Sequence, residues 1–134
     1  MTNCGVASRH YNKPEKIQDR ALRFGVKLTK FIFRLHKSFE MRVLLDQLLR
    51  SGTSIGANLE EADSASSRKD FINKLLISKK EARETRYWLT IIKETGLLSN
   101  EGNLMETQIL LDEVEQLVRI IGAIHAKARR KNSE

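Results

Sequence analysis

Four successive stretches of the chain carry apolar or small residues at alternating steps of four and three, a rhythm that fits helices packed on helices and little else. The first reads Ile17, Ala21, Phe24, Leu28, Phe31 and Leu35. The second reads Met41, Leu45, Leu48, Gly52, Ile55, Leu59 and Ala62, and the third Phe71, Leu75, Ser78, Ala82, Thr85, Leu89 and Ile92. The fourth reads Thr107, Leu110, Val114, Leu117, Ile121, Ile124 and Ala128. No stretch alternates with the period of two that a strand requires.

Local signals mark the boundaries. Pro14 suits a first helical turn, Glu15 and Asp19 lie where carboxylates complement the helix dipole, and the helix is expected to reach about His36. Ser38 is placed to cap the second helix, and Ser67 with Asp70 forms a capping-box variant opening the third. Gly96 followed by Leu97 and Leu98 reads as a glycine C-cap, and Asn103 with Glu106 restarts a helix after a loop to Gly102. Short connections between such helices give an all-α, antiparallel up-down-up-down four-helix bundle. Residues 1–13 read as a flexible basic arm, 14–128 as a single domain and 129–134 as a basic tail. A turn centred near Ala65 sets Gly52 opposite Ser78, Leu48 opposite Ala82 and Leu45 opposite Thr85, so Gly52, Gly56, Ser78 and Ala82 are expected to let backbones pack closely.

With 134 residues the chain has room for one core without disulfides or metal. Cys4 is the single cysteine, which excludes an internal disulfide framework and fits a reducing, cytoplasmic setting. The start of the chain lacks the apolar core of a signal peptide, and no apolar run approaches the ~20 residues that span a bilayer, so no membrane association is expected. The net charge of +7 favours polyanionic partners.

The first helix carries two further stripes. Lys16, Arg20, Arg23, Lys27, Lys30, Arg34 and Lys37 follow the seam's rhythm along one flank, forming a basic ridge with no acidic member. Arg20, Lys27 and Arg34 flank the seam and are expected to meet Glu106 and Glu113 of the fourth helix, leaving Lys16, Arg23, Lys30 and Lys37 to solvent or to a phosphate backbone. Aromatics are 6% of the chain and none interleaves with the ridge, so RNA or DNA contact is expected to be weak and to track the backbone rather than stack bases. The second stripe is apolar and points outward: Leu22, Val26 and Phe33, with Thr29 between them. On the third helix Ile77, Tyr87, Trp88 and Ile91 also lie outside the seam, whereas the outward positions of the fourth helix read as mostly polar. Diagonal helices place these extra faces on different sides of the subunit, which favours head-to-tail contact and a closed, ring-like homo-oligomer.

Catalytic constellations are missing from the pattern. His10, His36 and His125 are isolated, with His125 expected near a helix end, and the Glu-x-x-His pattern of bundle di-iron sites does not occur. No catalytic residue, metal or cofactor is expected. Glu61 and Glu84 are expected to pair with Lys80, Arg83 and Arg86.

The stretch RSGTSIGANLEEADSASSRKDFINKLLISKKEARETRYWL, from Arg50 to Leu89, resembles the four helix bundle protein family, also called the 23S ribosomal RNA intervening-sequence protein family. The likeness is strongest at Ser54-Ile55-Gly56-Ala57-Asn58-Leu59, where the family commonly reads Ser-Ile-Pro-Ala-Asn-Ile, and at Glu61, Ser67, Asp70, Phe71, Glu84 and Leu89. Gly56 stands in place of the frequent proline, and Ala62 where glycine is common. The resemblance implies a bundle that assembles as a ring, often a pentamer, without established catalytic activity. Members occur as reading frames within intervening sequences of ribosomal RNA genes. The structurally similar accessory proteins of diversity-generating retroelements are basic pentamers working with a reverse transcriptase. An adaptor that docks an acidic partner, such as a nucleic-acid enzyme, through the basic ridge is therefore the alternative to direct nucleic-acid binding.

Overall fold

A computed structural model describes residues 15–133, so the expectations for Pro14, for the arm and for Cys4 and His10 fall outside the described residues. The helices are α1 (Ile17–Arg34), α2 (Phe39–Asp63), α3 (Arg68–Glu94) and α4 (Glu101–Ser133). Their ends follow capping chemistry. The Met41 N–H donates to Ser38 Oγ at 3.3 Å, and the Asp70 N–H donates to Ser67 Oγ at 3.0 Å. Gly96 adopts φ +67°, the left-handed conformation in which a side chain is strained, and Leu98 folds back into the core just beyond it.

Three boundaries differ from the sequence expectation. α1 stops at Arg34, where Leu35 turns to an extended conformation with its side chain still buried. α4 starts at Glu101, because Asn100 Oδ1 accepts from the Asn103 N–H at 3.1 Å and serves as the cap. At its other end α4 continues past Ala128 to Ser133, so the basic stretch there is helical.

α1 packs on α2 and α4, α3 packs on the same two helices, and the backbones of neither diagonal pair come close. This is the layout of an up-down-up-down bundle. Every seam residue is buried apart from Ile17, Phe71 and Ile124, which are half-buried, and Ile32, Ser51, Leu111 and His125 join the interior from outside the seams. Phe24, Phe31, Leu28, Leu48 and Leu117 are among the largest fully buried side chains, each worth roughly 1.5–3 kcal/mol of burial.

The α2–α3 register is offset by about a turn from the expected pairs. Thr85 Oγ1 lies 3.0 Å from Ser51 Oγ, and Ser78 Oγ donates 2.8 Å to the Ile55 carbonyl oxygen. Side chains on a helix tilt toward its N-terminus, and in an antiparallel pair the two tilts oppose each other. Residues at equal distance from the turn therefore do not meet; each meets a residue further along its partner. Gly52 consequently faces α1 as well as α3. A Cβ there would collide with Leu28 Cδ2 and stand 3.7 Å from Thr85 Cγ2. Gly56 faces α1, where a Cβ would sit 3.6 Å from Ala21, so both glycines admit α1, while Ser78 and Ala82 are buried in the α2–α3 seam without lying opposite Gly52 as expected.

Candidate nucleic-acid interface and apolar faces

The ridge on α1 is divided by its carboxylate partners. Arg20 forks onto Glu113, with Nε to Oε1 at 2.7 Å and Nη2 to Oε2 at 3.1 Å, and also reaches Gln116. The hydrogen bond that Arg20 donates to Glu113 raises the Arg20 pKa above its ordinary value. Arg34 pairs with Glu106. Arg23, expected to stand free, instead holds Glu15 at 2.7 Å. Lys27, expected to be neutralised, has no ion-pair partner among the described residues, and neither do Lys16 and Lys30. Lys37 lies over the Phe33 ring, 5.5 Å from its centroid. The positive charge left on the ridge is thus Lys27 and Lys30 on α1, with Lys16 and Lys37 just beyond its two ends.

Ion pairs elsewhere join neighbouring helices. Glu61 meets Lys74 at 2.7 Å, Glu84 meets Arg50, and Arg86 meets Glu115 at 3.1 Å, in place of the expected partners Lys80, Arg83 and Arg86 for the two glutamates. The α2–α3 register explains the change, since it sets Arg50 over both Glu81 and Glu84. The Arg50 hydrogen bond holds Glu84 below the usual carboxylate range, while burial pushes Glu81 up.

The outward apolar stripe of α1 is exposed: Leu22 at 63%, Val26 at 45% and Phe33 at 68%. These residues border an open groove of about 440 Å³ whose floor is Ala21, Gly25 and Gly56. Of the four outward apolar residues on α3 only Tyr87 is exposed, at 58%, packed edge-on against Trp88; Ile77, Trp88 and Ile91 are half-buried. Sequence reasoning missed two further pairs, Phe39 with Val43 on α2 and Met105 with Ile109 on α4, all exposed. Their spacing of four outside the seam is the signal that marks them, and it makes the start of α4 less polar than expected.

Among the described residues no three His, Cys, Asp or Glu side chains are grouped to hold a metal ion, and no helix is long and apolar enough to cross a membrane.

A search of curated proteins finds no match. Among solved structures, the chain is similar to a protein with unknown function from the S23 ribosomal protein family of Bacteroides thetaiotaomicron, at 38% identity over 82% of this chain and 98% of that one, with a TM-score of 0.70. The sequence profile of the 23S rRNA-intervening sequence protein family matches residues 15–123, covering all of α1, α2 and α3 and most of α4, so the chain belongs to that family.

Proposed function

We propose that the protein is a non-enzymatic, homo-oligomeric helical-bundle scaffold, assembled as a ring of about five copies, that binds RNA or DNA weakly along the phosphate backbone. The observation that carries this reading is the groove on the α1–α2 face, bordered by the exposed Leu22, Val26 and Phe33, with the exposed Tyr87 on α3, the helix diagonal to α1. Two unlike patches on separate sides cannot satisfy each other in a two-fold dimer. They match head to tail, and a closed rotation leaves no free end. Repeated around a ring, Lys16, Lys27, Lys30 and Lys37 of each copy would form a positive band suited to closely spaced phosphates.

Sedimentation velocity or light scattering tests the assembly. Wild-type protein is expected to be a multimer at micromolar concentration, and Val26→Asp combined with Ile91→Asp should yield helical monomers. A wild-type monomer would remove the reading. One observation favours a second reading: Arg20 and Arg34 already hold carboxylates, the groups that an acidic protein partner would bring to the remaining ridge lysines, so the chain would then act as an adaptor.

A further inference from the structure

A second cationic region lies away from the α1 ridge. Antiparallel packing brings the first half of α3 alongside the last half of α4 at one end of the bundle, where Arg68 Nη2 donates 3.4 Å to the Ala128 carbonyl oxygen. From Gln116 through Ser133, α4 contains no carboxylate but includes Arg119, Lys127, Arg129, Arg130 and Lys131. On α3, Arg68 through Lys80 includes one carboxylate, Asp70, among Arg68, Lys69, Lys74, Lys79 and Lys80, of which Lys74 is answered by Glu61.

Between the two segments lies a cleft of about 510 Å³, a volume suited to a small ligand. Lys69, Asp70, Asn73 and Leu76 line it from α3, and His125 and Arg129 from α4. His125 is 5% exposed and makes no hydrogen bond among the described residues. Among the described residues no buried side-chain nitrogen is left both occluded and unbonded, so its ring nitrogens keep access to solvent, and the residue lines the cleft. The Lys79 stem crosses α4 at Gly122, with its Cε 3.7 Å from where a glycine Cβ would stand, which brings an ammonium group close to the imidazole. Burial, then the charges of Lys79 and Arg129, hold the His125 pKa below its ordinary value of 6.5. A cleft that sets a nearly buried imidazole beside Lys69, Lys79 and Arg129, with Asp70 the one carboxylate in its lining, carries net positive charge and suits an anion.

We propose that this cleft seats a phosphate group, contacted by Lys69 and His125, with Lys79 adding charge beside the imidazole and Lys127, Arg130 and Lys131 drawing a polyanion toward it. The phosphate can belong to a nucleic-acid backbone or to a free phosphate compound. The first source rests on the function proposed above; the chemistry of the cleft does not. Binding would favour the imidazolium form, so affinity rises as pH falls through the His125 titration. The charged groups involved are Lys69, Asp70 and Lys79 from α3 and Arg129 from α4, and Asp70 opposes the anion.

The test is an NMR titration of the His125 imidazole in the full chain at constant ionic strength, against inorganic phosphate, a mononucleotide and a single-stranded oligonucleotide. The His125 midpoint is expected to rise by roughly one pH unit with at least one ligand. Lys69→Gln with Lys79→Gln should weaken that ligand about tenfold or more and, without ligand, raise the midpoint. A response to the oligonucleotide alone assigns a backbone phosphate; a response to the small ligands assigns a free phosphate compound. No movement of His125 with any of the three overturns the proposal, even if oligonucleotide binding persists and is lost on Lys27→Glu with Lys30→Glu, a result that would leave the α1 reading intact.

Discussion

Gly52 and Gly56 stand one turn apart on α2, yet a methyl group at each would meet different surroundings. At Gly56 the neighbours are at ordinary contact distance, 3.6 Å, so Gly56→Ala is expected to stabilise the fold by about 0.5–1 kcal/mol through helix propensity alone. At Gly52 the added carbon would collide with the fully buried Leu28, and overpacking of roughly 1–3 kcal/mol exceeds the propensity gain. Gly52→Ala should therefore lower stability by about 1 kcal/mol. Thermal or urea unfolding of the two variants should show midpoints moving in opposite directions. The sequence marked both glycines as close-packing sites and set Gly52 against α3, but it named Ser78 where Thr85 stands and did not show the approach of α1 to both. His125 shows a similar limit: with the bundle expected to end at Ala128 it looked terminal, whereas the continued helix makes it an interior residue at the edge of a cleft.

Among the elements, α1 is held differently on its two sides. Against α2 it packs through the glycine pair, while ion pairs from Arg20 and Arg34 bridge it to α4. The two bridges should not weigh equally. Side-chain exposures are 23% and 25% for Arg20 and Glu113 but 55% and 32% for Arg34 and Glu106, and solvent screens the second pair more. Arg20→Met is expected to cost about 0.5–1 kcal/mol at low salt, and Arg34→Met less. A double-mutant cycle of Arg20→Met with Glu113→Gln, measured by denaturant unfolding, should give a coupling that shrinks in concentrated salt. The pairing of Arg20 and Arg34 with these glutamates was legible in heptad positions. The Arg23–Glu15 pair was not, because the extended residues before α1 allow Glu15 to reach along the helix in a way helical spacing does not describe.

For the whole molecule, the net charge of +7 matters less than its placement. Carboxylates answer Arg20, Arg23 and Arg34 on α1, leaving the lysines to carry its remaining field. If the α1 surface tracks nucleic acid, Lys27→Glu with Lys30→Glu should weaken oligonucleotide binding and reduce the slope of log affinity against log salt by about two. Mobility shifts across a salt series measure this, and an unchanged slope would exclude the α1 surface. Pull-down with and without nuclease separates the rival readings: a partner lost on treatment supports nucleic acid, whereas one retained supports the protein adaptor.

The sequence by itself determined the helices, their order, the caps at Ser38, Ser67 and Gly96 and most of the core, because periodicity and capping are local and repeat along the chain. It also exposed the basic ridge and the outward apolar stripe of α1, since both lie on one continuous helix. Only the tertiary structure decided which charges are spent on each other, which helix Gly52 and Gly56 admit, and that His125 faces a cationic cleft. Those outcomes depend on the register between helices and on where α4 ends. Register follows from the opposed tilt of side chains in antiparallel partners, and no single helix contains that information.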